Sequence, residues 1–310
     1  MSKLISIVTP TYNEAENIET LYLRILEIWK IYPHYRFELI IIDNNSQDGT
    51  IDKLKKIANK DKRVKAIVNN KNYGHLRSPY WGMLQAHGDA VIFMASDLQD
   101  PPEILPLFIE QWELGHKIAL GIKPISKKNG ISHYLRKLYY RVLNKISNVV
   151  LVNDATGFGI YDKKVMDLIR EIDDPNPYFR GLICELGYPI KTVAFEQARR
   201  TRGVTKNNFY TLYDMAMMGF ITYSLIPIRM ASLCGIILGG ISFFVAMLLI
   251  IVKIVWWSDI PLGIAPIAIA IFFLMGLMLI FIGILGEYVA SIIPYVKKRP
   301  IVIEAERINF

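Results

Sequence analysis

Cysteine is nearly absent from this 310-residue chain: only Cys184 and Cys234 occur, and they make no metal-ligand spacing. Cys234 lies inside a long apolar run, which argues against a disulfide framework. Histidine is scarce too, with five in all. No His, Cys or Asp falls into a nucleophile constellation, and no GxxxxGK[ST] phosphate loop is present. Any phosphate must therefore be held by a metal and by basic side chains. No recognised nucleic-acid module accompanies the net charge of +8, so nucleic acid is not expected as a partner. The charge suits anionic lipid surfaces and phosphorylated substrates instead. A signal peptide is not expected, because the apolar run after Met1-Ser2-Lys3-Leu4 is short and leads into a strand-turn pattern.

What the chain does have is apolar residues, 52% of the total, concentrated towards its C-terminal end. Met230–Val252 and Ile260–Gly286 are uncharged runs long enough to span a bilayer, too long for a buried core pair. A short linker, Lys253–Asp259, carries Trp256 and Trp257 at an interface position. Arg229 precedes the first run and Lys297-Lys298-Arg299 follow the second, which predicts that both ends face the cytoplasm. The expected division is a catalytic domain over 1–205, an interfacial helix over 206–228, a membrane hairpin over 229–294 and a cytoplasmic tail over 295–310. Whether the chain forms a homo-oligomer is left open.

The first half alternates between two periods. Leu4–Thr9, Phe37–Ile42, Val64–Val68 and Val91–Met94 read as buried strands. Ile18, Leu21, Ile25 and Ile28 recur at helical spacing over Asn17–Ile31, and Asp48-Gly49-Thr50 opens a second helix. This β-α-β alternation predicts an α/β fold with a mostly parallel, Rossmann-like sheet. Ligands of such sheets sit beyond the carboxyl ends of the strands. Asp43 ends its strand there, read either as a turn aspartate or, preferred here, as a nucleotide ligand. Asp97 and Gln99, in Ala95–Glu103, offer a carboxylate and an amide oxygen to a hard cation holding phosphates. Asp100, Pro101, Pro102 and Glu103 instead spell a helix start with a capping box. Val152–Gly159 is polar and glycine-containing and reads as a loop. Over Ile131–Val150, Lys137, Arg141 and Lys145 form a basic stripe, either a solvated face or a surface for an anionic leaflet.

Three motifs in order, Thr9-Pro10-Thr11-Tyr12-Asn13-Glu14, Ile42–Thr50 and Ala95–Glu103, resemble those of family 2 glycosyltransferases of GT-A fold. More narrowly, the chain is similar to the polyprenyl-phosphate glycosyltransferases, the group that includes dolichol-phosphate mannose synthase. The resemblance runs from about Ile5 to the second apolar run. It implies nucleotide-sugar binding by Pro10, Tyr12, Glu14, Asp43, Arg77, Ser96, Asp97 and Gln99, with Mg2+ or Mn2+ at Asp97 and Gln99. Asp97, Asp154 and Arg200 are the implied catalytic residues. The Arg199–Lys206 stretch resembles the acceptor loop, with Arg200, Thr205 and Lys206 on the acceptor phosphate. Phe179-Arg180-Gly181 and Leu186-Gly187 also match. Relatives often carry an acidic residue at the place of Gly157, an arginine at that of Gly159, and an aspartate at that of Ala95. His75 reads either as structural or as catalytic.

The expected reaction is inverting transfer of a hexose from a nucleotide diphosphate sugar, UDP-linked, to undecaprenyl phosphate at the cytoplasmic membrane. An acceptor that is a lipid-linked glycan or membrane lipid is the alternative. A processive polysaccharide synthase is not expected, since there is no Q-x-x-R-W run and only two spans. Ala95 keeps a catalytically silent GT-A scaffold in view.

Overall fold

The computed structural model describes residues 2–122, 152, 155–196, 224–255, 264–297 and 299–310. Five strands follow the expected alternation: β1 (Leu4–Thr11), β2 (Arg36–Asp43), β3 (Val64–Asn69), β4 (Ala90–Phe93) and β5 (Ile118–Ile122). Between and after them come α1 (Ile18–Ile31), α2 (Thr50–Lys60), α3 (Gly74–Leu84) and α4 (Leu105–Glu113), with a 3-10 turn at Pro102–Ile104 before α4. The chain continues through β6 (Ala155–Asp162), α5 (Lys163–Ile172), α6 (Phe179–Glu185) and β7 (Ile190–Ala194). Two long helices, α7 (Ile226–Val255) and α8 (Ile264–Lys297), precede a last strand, β8 (Glu304–Ile308).

The eight strands form one sheet in the order β7-β5-β6-β4-β1-β2-β3-β8. β6 and β8 run antiparallel to their neighbours, and the other pairings are parallel. Strand residues alternate between two cores. Ile5, Ile7, Leu39, Ile41 and Ile92 pack with Ile18, Leu21, Ile25 and Phe108 on one face. Val8, Ile40, Ile42 and Val91 pack with Tyr80, Met83, Val165 and Ile169 on the other. Each such side chain, fully withdrawn from water, contributes about 1.5–3 kcal/mol, which is why short all-apolar strands hold the centre.

One expectation is corrected. The loop expected over 152–159 is in part β6, inserted antiparallel between β4 and β5. Its glycines lower intrinsic strand propensity, but Gly159 lies so close to β5 that a Cβ there would stand 2.3 Å from the Ala119 carbonyl oxygen. Packing therefore selects the glycine that the local pattern reads as a loop. Within the stretch expected as a cytoplasmic tail, 295–310, β8 pairs with β3 and closes that edge of the sheet. The basic stripe of 131–150 lies outside the described residues.

α7 and α8 are apolar all round and exposed. Each contains a stretch long and apolar enough to cross a membrane, Ile226–Val245 and Phe273–Lys297, with none of it buried against the protein. Side chains such as Ile236, Phe243, Phe273 and Leu279 stand open. So large an apolar surface is incompatible with water and marks the chain as membrane-associated.

Candidate functional site

Parallel β1, β2 and β4 discharge their following loops at one edge. Thr11 lies opposite Asp43, and the Met94 amide bonds the Val8 carbonyl. The first two loops are stitched together. The Asn13 amide donates to Ser46 Oγ at 2.8 Å, and the Gln47 amide to Asn13 Oδ1 at 2.8 Å. The Glu14 amide donates to Thr50 Oγ1 and that of Ala15 to Asp48 Oδ2, both at 3.0 Å. Asn13 and Asn45 turn the chain with φ of 56° and 64°, a conformation asparagine tolerates better than most residues. Glu14 is buried and accepts from Asn17 Nδ2 at 2.6 Å. Pro10 and Tyr12 beside it are half-buried. The Thr11 hydroxyl is buried with no hydrogen-bond partner among the described residues.

Asp43 is wholly buried. Ser46 meets both its oxygens, the amide to Oδ1 at 2.8 Å and the hydroxyl to Oδ2 at 2.6 Å. Burial pushes its carboxyl up from the usual range, the Ser46 and Asn45 donors oppose that, and neighbouring Asp48 adds to it. These local donors are what the turn reading of Asp43 expects.

Behind β4, Ser96 is buried while Asp97 and Gln99 are half-buried. Asp97 Oδ1 accepts the Gln99 amide at 3.2 Å. Leu98 between them has φ of 58°, a conformation costing an ordinary side chain roughly 1–2 kcal/mol and found where a loop is held for function. The expected capping box does not form. The 3-10 turn has Pro101 as its N-cap with no side-chain cap bond. Buried Asp100 reaches back to the Ala95 amide over a long 3.4 Å, and Glu103 pairs with Arg24 through two nitrogens. The hydrogen bond from the Arg24 guanidinium lowers the Glu103 carboxyl below the usual range.

Among the described residues no cluster of three or more His, Cys, Asp or Glu could hold a metal. With one Asp97 oxygen on a backbone amide, the donor set fits a divalent cation that takes the rest of its shell from phosphates and water.

A second network fixes the chain after β3. Asn44 Oδ1 accepts from the Tyr73 amide at 2.8 Å and from Asn69 Nδ2 at 3.1 Å. Asn44 Nδ2 donates to Asn72 Oδ1 at 2.8 Å. This pins the start of α3, where Arg77 is half-buried and pairs with no carboxylate among the described residues. His75 remains open to water, yet surrounding protein atoms and the Arg180 guanidinium hold its imidazole below the ordinary range. No sequence motif singled out this asparagine pin, because its members come from two loops. Asp154, Arg200, Thr205 and Lys206 lie outside the described residues.

The model of the family described as glycosyl transferase family 2 matches residues 6–169. The bactoprenol glucosyl transferase of Shigella phage SfII is 30% identical over 297 residues, 96% of this chain and 96% of that protein. The uncharacterized glycosyltransferase YkcC of Bacillus subtilis (strain 168) is 30% identical over 301 residues, 96% of this chain and 92% of its own. Among solved structures, the mannosyltransferase PcManGT of Pyrobaculum calidifontis aligns over 71% of this chain and 63% of that one. It has a TM-score of 0.48 and 14% identity.

Proposed function

The chain belongs to glycosyl transferase family 2 and is a glycosyltransferase, and from that premise we propose that it transfers glucose from UDP-glucose to a polyprenyl phosphate at the cytoplasmic membrane. The observation that carries this reading is the end-to-end similarity to bactoprenol glucosyl transferases, 96% of both chains, apolar helices included. In this reading residues 1–205 are the catalytic domain, 206–228 an interfacial helix and 229–294 the membrane hairpin, with the segment after it returning to the domain as β8.

The donor would lie along the edge bounded by Pro10, Tyr12, Glu14, Asp43, Arg77, Ser96, Asp97 and Gln99. A phosphate oxygen of the acceptor attacks the anomeric carbon from the face opposite the diphosphate. A carbon–oxygen bond forms as the bond to the UDP β-phosphate breaks, and UDP leaves with the electron pair. The attacking oxygen is already anionic near neutral pH, so no strong general base is required. The rate then rests on alignment and on charge complementarity to the departing group. Arg200 and Lys206 orient the acceptor phosphate through charge-assisted bonds, and Asp154 is the nearby candidate carboxylate. Asp97 and Gln99 would hold Mg2+ or Mn2+, which when bound neutralises charge on the diphosphate.

The test is transfer of labelled glucose from UDP-glucose to undecaprenyl phosphate by purified protein. The product should form and vanish with excess chelator. Asp97→Asn should lower the rate at least about 100-fold. Transfer only to a glycan-bearing lipid would redirect the acceptor assignment, and full activity of Asp97→Asn would remove the metal from this loop.

A further inference from the structure

Across β6 from the donor edge lies a cleft that none of the expected site residues explains. It opens at the end of β5 and the start of β6, where Ile122 faces Ala155. Leu120, Val152, Ala155, Gly157, Tyr178 and Arg180 line it. Its floor is set by Gly157, with φ of 92°, whose carbonyl accepts from the Tyr161 hydroxyl at 2.6 Å.

Arg180 is fixed by what precedes it. The Phe179 ring packs edge-on against Tyr161 at 5.2 Å and Tyr80 at 6.3 Å. The Gly181 amide closes the turn on the Tyr178 carbonyl at 2.9 Å. The guanidinium is half-buried and no described carboxylate pairs with it. A partly desolvated cation is stabilised by an anion within reach. Arg180 is the one charged residue among the described lining residues, and Leu120, Val152 and Ala155 make apolar walls. The turn that leads into α6 is tied to the apolar helix pair. Asp174, just before α6, accepts from the hydroxyl of Tyr295 near the end of α8 at 3.0 Å.

We propose that Arg180 binds the phosphate monoester of the lipid acceptor. This rests on the polyprenyl phosphate reading above and adds a contact to those of Arg200 and Lys206. The planar guanidinium presents a donor fork that matches two phosphate oxygens. Leu120, Val152 and Ala155 face the hydrocarbon next to the phosphate. The approach from the α8 side favours the lipid over the donor, whose diphosphate belongs at Asp97 on the other side of β6.

Full-length protein in detergent, with UDP-glucose and undecaprenyl phosphate varied separately, tests this. Arg180→Ala should raise the acceptor KM about 10–100-fold, the loss expected for a charge-assisted contact. The donor KM and the calorimetric affinity for UDP should not change. Arg180→Lys, which keeps the charge without the fork, should recover part of the loss. Arg180→Gln keeps much of the stem and replaces Arg180→Ala if the alanine variant fails to fold. A wild type that transfers nothing to undecaprenyl phosphate overturns the proposed function and this inference together. An active wild type with an unchanged acceptor KM in Arg180→Ala overturns this inference alone. A rise confined to the donor KM also overturns it and assigns Arg180 to the sugar nucleotide.

Discussion

Ser46 keeps a buried carboxylate compatible with the fold. It gives Asp43 two donors and accepts from the Asn13 amide, so Ser46→Ala should cost about 1–3 kcal/mol. The pH dependence follows from the raised carboxyl of Asp43. A group raised on folding contributes stability that is full below its unfolded value and lost as pH rises through its folded one. Removing a donor raises it further. The deficit of Ser46→Ala should therefore widen as pH rises above the ordinary carboxylate range, read as the thermal midpoint against wild type. A constant deficit would mean that Asp43 is not charged in the native protein. At Gly159 the argument is steric. A Cβ 2.3 Å from the Ala119 carbonyl oxygen cannot be absorbed by a flexible side chain, so Gly159→Ala should cost about 1–3 kcal/mol or more. A wild-type melting curve for that variant would show that β5 and β6 can separate locally.

At the scale of elements, β8 is the piece whose role is least visible from its own residues. Without it β3 would be an open edge inviting foreign strands. It is held by Trp81 Nε1 to Glu304 at 2.5 Å, by Asn309 to the carbonyls of Ala58 and Val64 at 2.6 and 2.8 Å, and by buried Ile301 and Val302. Ending the chain after Arg299 should remove roughly 3–6 kcal/mol through Ile301 and Val302 alone. Size-exclusion chromatography should then show association of the truncated protein. The exposed Lys55–Glu306 pair is a control: Glu306→Gln should change stability by less than about 1 kcal/mol. Truncation without thermal or associative effect would show that β3 needs no cover.

For the whole molecule, β8 constrains how the membrane is crossed. β1 to β3 precede the apolar helices in sequence and β8 follows them, yet all four lie in one sheet. We propose that α7 and α8 cross the membrane as a pair, which returns the chain to the compartment of the sheet. With Arg229 before them and Lys297-Lys298-Arg299 after, we expect that compartment to be the cytoplasm. With Cys184 and Cys234 replaced by serine, a cysteine at Phe310 should resist an impermeant thiol reagent in intact cells, whereas one at Ser258 should react. Labelling at 310 with protection at 258 would reverse the orientation.

The amino-acid sequence by itself determined the features that rest on local periodicity. The helical spacing of Ile18, Leu21, Ile25 and Ile28 and the two long uncharged runs are examples. So is the all-apolar run at Val91, which buries on both faces wherever it lies in a sheet. The motif order also made the family legible. Tertiary structure decided what depends on partners distant in the chain. β6 is a strand because Gly159 fits under Ala119, and the tail is a strand because Trp81 and β3 await it. Glu103 is an ion-pair partner because Arg24 reaches it from α1. Arg180 gained meaning only once α6, β6 and the end of α8 came together. Local propensity carries no information about such pairings, since each is settled by the burial and charge that two remote segments share.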